Sequence, residues 1–180
     1  MAGLFYKADN GALLSPCRNY RYSLWRLWRV GPLCNYLGFI GLNPSTADET
    51  ANDLTITKCK GFAERFGYDG IFMFNLYAYR ATNPNALLFA QKNEVDIIGA
   101  DNIQTITKHA KRCQSLIACW GSQGPKVNKA IELAYYSERL LHALSREVYC
   151  LGTTETGAPR HPSRLAYSAT LRPFWSPYSE

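Results

Sequence analysis

At 180 residues and 20.3 kDa the chain fits one domain with a sizeable core, and 47% apolar against 19% charged residues excludes a disordered polypeptide. No apolar run approaches the roughly 20 residues that cross a bilayer, and the opening MAGLFYKADNG lacks a signal-peptide core, so the expected compartment is the cytoplasm. Twenty Lys and Arg against fourteen Asp and Glu leave +6, compatible with a phosphate-bearing partner.

In chain order, residues 20–28 (YRYSLWRLW) and 35–42 (NYLGFIGL) are aromatic and β-branched, and predict two strands joined by a turn at Gly31-Pro32. Arg18, Arg21, Arg26 and Arg29 alternate there with Tyr20, Tyr22, Trp25 and Trp28. Arginine beside aromatics suits contacts with phosphates and bases; the simpler expectation is an amphipathic strand with its arginines in water. Ile56, Cys59, Phe62, Ala63 and Phe66 recur at helical spacing over 54–67, with Gly67 as the stop. A strand over 70–79 comes next, closed by the loop ATNPNA, and then a helix over 94–112. A strand at 115–120, a helix over 125–145 and a strand at 147–152 complete the alternation before the turn-rich TTETGAPRHPS. The Pro-interrupted tail LRPFWSPY predicts irregular packing.

Strands alternating with helices predict an α/β domain with a mainly parallel central sheet covered on both faces. The whole of 1–180 forms this single domain, with 1–19 and 166–180 as peripheral segments. The six cysteines form no C-x-x-C pair and no Cys/His cluster of metal-binding spacing, so no metal or other cofactor is expected. Nothing in the sequence requires a protein partner, and nothing addresses it to a membrane.

Ligands of such sheets bind beyond the carboxyl ends of the strands. Those ends carry Gly41-Leu42-Asn43-Pro44-Ser45, Asn75, Trp120-Gly121-Ser122 and Arg160-His161-Pro162-Ser163. There is no Gly-rich phosphate loop, which argues against an NTPase or dinucleotide enzyme, and no nucleophile elbow. Two carboxamides and a histidine suit recognition of a nucleobase edge better than acyl or phosphoryl transfer.

These segments carry a resemblance. Gly41-Leu42-Asn43-Pro44-Ser45 is similar to the first motif of the uracil-DNA glycosylase superfamily, a Gly-x-(Asp/Asn)-Pro ending a strand. Phe72-Met73-Phe74-Asn75 resembles the strand whose final Asn reads the pyrimidine. Leu116 to Ser122 resembles a strand ending Leu-Trp-Gly-Ser, and His161-Pro162-Ser163-Arg164-Leu165 resembles a His-Pro-Ser-Pro-Leu loop. Over about residues 20–165 the chain also looks like the bacterial and phage family called domain of unknown function 1643.

The glycosylase resemblance implies a three-layer α/β/α fold and a DNA partner. It also implies hydrolysis of the N-glycosidic bond of a flipped base. It would give Asn43 the attacking water, Asn75 the base edge and His161 the developing base anion. Leu42 and Pro44 would line the pocket, and Ser45 and Ser163 would grip flanking phosphates, with Arg160 and Arg164 beside them. Leu165 would wedge into the vacated stack.

Asn43 stands where the most active relatives have Asp. Asp48, or Asp53, could supply the missing carboxylate, although both could equally be N-terminal residues of the next helix. Ser45 stands where uracil-specific relatives have a bulky Tyr, which predicts room for a C5-modified pyrimidine. The cysteine spacing does not support the iron–sulfur cluster of some relatives. The alternatives are a catalytically inactive nucleic-acid or nucleotide binder, and an enzyme acting on free or hypermodified nucleotides.

Overall fold

The computed structural model describes residues 9–45 and 47–178. It is of the α/β class, with seven strands: β1 (Asp9–Leu14), β2 (Arg21–Leu27), β3 (Tyr36–Gly41), β4 (Gly70–Asn75), β5 (Cys113–Ala118), β6 (Val148–Cys150) and β7 (Arg172–Trp175). Five α-helices accompany them: α1 (Leu54–Arg65), α2 (Pro84–Lys92), α3 (Asn102–Ala110), α4 (Pro125–Ala130) and α5 (Leu133–Leu144). The strands form one sheet in the order β1-β2-β4-β3-β5-β6-β7.

The sheet is mixed, not mainly parallel. β4, β3, β5 and β6 run parallel, while β1, β2 and β7 are antiparallel to their neighbours. Parallel neighbours need long crossovers, which the helical segments supply; the short link between β1 and β2 permits only a hairpin. β2 and β3 do not pair, because β4 lies between them. The two terminal segments supply the edge strands. In the tail, Pro173 is in register with Tyr149, and an edge strand tolerates the missing N–H because one side has no neighbour.

β3 and β4 are buried at every position, as expected of central strands with both faces covered. Alternate residues supply two cores. Ile40, Phe72, Phe74 and Leu116 join Leu87, Ile106 and Leu140 in one. Leu37, Phe39, Ile71 and Ile117 join Ile56, Cys59 and Phe62 of α1 in the other. α1 starts on Asp53, whose Oδ1 accepts from Ile56 N at 2.8 Å, and stops in a Schellman closure. There Gly67 N donates to Glu64 O and Tyr68 N to Ala63 O, with Gly67 at φ +77°.

Helix boundaries depart from the periodicity where side chains cap locally. The ATNPNA segment opens α2, because Asn83 caps it and Pro84 suits the first turn. The helix expected over 94–112 shortens to α3, since Asp96 accepts from Ile98 N and Gly99 N and holds that stretch as a turn. The helix expected over 125–145 breaks at Glu132, which sits at φ 50°.

β2 departs furthest from expectation. Arg21 and Arg26 are 3% and 2% exposed, not on a wet face. Loop 47–52 lies over them. Arg26 donates to the carbonyls of Gly11, Trp25, Asp48 and Ala51 and to Asn52 Oδ1. Charged hydrogen bonds are worth about 1.5–3 kcal/mol each, offset by the cost of desolvating the cation. Arg26→Met is therefore expected to lower stability by about 2–4 kcal/mol, seen as a lower urea midpoint at constant slope. An unmoved midpoint would mean that the loop holds without Arg26.

Candidate functional site

In the order β4-β3-β5-β6 the chain first steps one way from β3 and then crosses to its other side. That places the topological switch point between β3 and β5, where a crevice opens outside the carboxyl ends. A cavity of about 230 Å³ lies there. Asn43, Asn75, His161, Arg21, Asp53 and Ser45 line it, with Leu42 and Trp120 among the apolar wall.

Hydrogen bonds across separate loops hold each polar group. Leu76 N and Tyr77 N donate to Gly41 O and Leu42 O, so the end of β3 continues against the chain leaving β4. Ala81 N donates to Pro44 O, and Asn43 Nδ2 donates to Ala81 O at 2.7 Å and Pro44 O at 3.2 Å. Both partners are carbonyls, so the amide's orientation is set, and Oδ1 is left without a protein partner among the described residues.

Asn75 is 2% exposed. Its Oδ1 accepts from Arg21 Nη2 at 3.1 Å, and its backbone carbonyl accepts from Asn102 Nδ2 at 3.0 Å. Gly41 is its register partner across β3 and β4. A Cβ on Gly41 would come within 2.9 Å of Asn75 Nδ2 and 2.6 Å of Met73 Cε, so a side chain there would displace the amide.

His161 arrives from the opposite side. Gly121 N donates to Pro159 O and Arg160 N to Gly152 O, fastening the 152–160 loop to the ends of β5 and β6. His161 then precedes a single 3₁₀ turn, Pro162–Arg164. Its Nδ1 lies 2.7 Å from Ser163 Oγ and accepts from Ser163 N at 3.4 Å. A backbone N–H can only donate, so Nδ1 is the acceptor and the ring proton of the neutral imidazole is assigned to Nε2. Burial, then the charge of Arg164, push the imidazole below its ordinary value of 6.5. An NMR titration should find His161 titrating below the range of an exposed histidine. A depressed folded value also means that stability is present above the unfolded value and is lost as pH falls through the folded one. A midpoint above 6.5 would contradict a ring kept neutral by its burial and by the charge of Arg164.

Other residues singled out from the sequence fall into three places. Ser163, Arg160, Arg164 and Leu165 line an adjoining cavity of about 560 Å³, which shares Trp120, Gln123 and His161 with the first. Leu165 is half-buried against the core beneath α1. Pro44, expected in the pocket wall, is buried and lines neither cavity. Asp48 lines neither cavity: its Oδ1 accepts from Thr50 N and Oγ1 and from Ala51 N, and these bonds hold its carboxyl below the usual range.

Asp53 is the carboxylate brought to the site. Its second oxygen has no protein partner among the described residues, and it acts electrostatically on both Arg21 and His161. Arg21 is not legible as a site residue because strand alternation treats arginine as solvent-facing; a buried cation two strands from the motif leaves no local signal. Among the described residues no group of three His, Cys, Asp or Glu could hold a metal ion. Cys59, Cys113, Cys119 and Cys150 are buried free thiols. No helix of the described residues is long and apolar enough to cross a membrane.

Comparison with known proteins assigns no activity to this arrangement, and no curated protein matches the chain. A family model does match residues 21–163, from the first buried arginine to the serine beside His161. The chain therefore belongs to the family described as "Protein of unknown function (DUF1643)".

Proposed function

We propose that the protein is a cytoplasmic base-excising glycosylase acting on DNA, with a three-layer fold of the uracil-DNA glycosylase kind. The observation that carries this reading is the convergence of Asn43, Asn75 and a neutral His161 in one cavity at the switch point. In this reaction the C1′–N bond breaks with its electron pair leaving on the base. His161 Nε2–H would donate to that developing anion. Asn43 Oδ1 would hold a water whose oxygen bonds to C1′, and Asp53 would take the proton released. Asp53 replaces Asp48 in this scheme, since Asp48 is committed to its own turn.

The adjoining cavity, with Arg160, Arg164 and Ser163, suits flanking phosphates. Leu54, 85% exposed between the cavity-lining Asp53 and Thr55, is better placed than Leu165 to enter the vacated stack. Ser45 leaves space for a substituent at C5.

Abasic-site formation on oligonucleotides bearing uracil, mismatches and C5-modified pyrimidines tests the reading. Cleavage of at least one is expected. Salt-dependent binding with no abasic product would instead make the protein a binder that has no turnover. Activity on mononucleotides alone would move the substrate away from DNA.

A further inference from the structure

The proposed reaction does not use Arg21, although its guanidinium lies in the wall of the cavity. It is 3% exposed, donates to Ala47 O at 2.8 Å and Asn75 Oδ1 at 3.1 Å, and has a buried Nε without a partner among the described residues. Among the described residues it makes no direct ion pair. Asp53 and Asp48 favour its charge through space, whereas Arg80 and Arg26 oppose it. Burial pulls it down to about 10, so it remains a cation at neutral pH. A buried cation without a contacting counter-ion is costly, and an anion in the cavity would offset that cost.

The contact with Asn75 determines what the ligand meets. A guanidinium has no acceptor, so Asn75 must turn Oδ1 toward it, which leaves Nδ2 beside Gly41 with no protein partner among the described residues. The cation polarises the amide, strengthening Nδ2–H as a donor and weakening Oδ1 as a further acceptor. A carboxamide that would otherwise read a donor and an acceptor alike thus becomes chiefly a donor backed by positive charge.

We propose that Arg21, acting through Asn75, makes this cavity selective for an oxo-pyrimidine edge carrying negative charge, and against an amino-pyrimidine edge. The inference rests on the cavity being a base pocket. Arg21 is a positioning residue for Asn75, whose Oδ1 it holds.

The test uses the full chain and 5-nitrouracil, an acidic pyrimidine whose ionisation shifts its near-ultraviolet absorption. Bound 5-nitrouracil is expected to titrate at least about one unit below the free base, a roughly tenfold preference for the anion. Arg21→Met should abolish the shift, and Arg21→Lys should keep part of it. Asn75→Asp keeps an oxygen on Arg21 but offers the ligand an acceptor, so it should favour cytosine over uracil about tenfold. Absence of binding, equal titration of free and bound base, or a shift that survives Arg21→Met would overturn the proposal. If Arg21→Met does not fold, Asn75→Asp decides by whether the cytosine preference emerges. An anion shift in a protein that forms no abasic sites would uphold the edge selection and reject hydrolysis. Abasic-site formation with no shift would do the reverse.

Discussion

Replacing His161 by alanine is expected to slow base release by about 10²–10³-fold, the loss typical of one donor to a developing anion. Binding of the uncleaved oligonucleotide should change far less, because the ground-state base carries little negative charge where Nε2–H points. The ring is held from outside the cavity, by Ser163 on Nδ1 and by the Gly121–Pro159 link beneath it. Its removal should therefore spare Asn43 and Asn75, which other loops secure. Single-turnover kinetics at saturating protein would separate the step. Unchanged turnover would remove His161 from the chemistry, and equal losses in binding and rate would make it a contact residue.

The second large effect is expected at Asp53. Asp53→Asn keeps an oxygen to accept from Ile56 N, so the N-cap of α1 and the melting temperature should stay nearly unchanged. It removes the negative charge that Asn43 cannot supply and the acceptor for a proton, and turnover should fall about 10²-fold or more. Asp48→Asn is the control, expected to leave turnover within about twofold because Asp48 lines neither cavity. Measuring both variants for stability and for abasic-site formation checks the assignment. It fails if Asp48→Asn is the more damaging change, or if Asp53→Asn acts only by melting the helix.

The strand-end residues were legible in the sequence because their surroundings are local. An apolar run that stops on Asn43-Pro44 or on Asn75 marks the end of a buried strand, and the alternation of elements puts such ends on one side of a sheet. His161 was legible for a similar reason, coming a short loop after the last parallel strand. Arg21 and Asp53 depend on contacts that no period records. Ala47 O, which receives Arg21, and Asp48 O and Ala51 O, which receive Arg26, lie in loop 47–52, which folds back over β2 from more than twenty residues away. Asp48 and Asp53 read alike before a helix, and only the partners they take up, a turn for one and Ile56 N for the other, separate them. β1 was hidden by its polar, Gly-containing sequence, and the antiparallel setting of β2 by β4 entering between β2 and β3.

The wall of Trp120, Gln123 and His161 that divides the two cavities bears on product release. Trp120 is braced from behind by Phe174 of β7, their rings crossed at 79° and 5.5 Å apart, so this partition is anchored to the last strand of the sheet. On the proposed reading, the freed base and the abasic strand end up in separate compartments, and either can depart first. Free base added in excess should then occupy the cavity that the flipped base must enter, and so compete with the oligonucleotide. Inhibition by the base would accordingly show in the apparent affinity for DNA more than in the maximal rate.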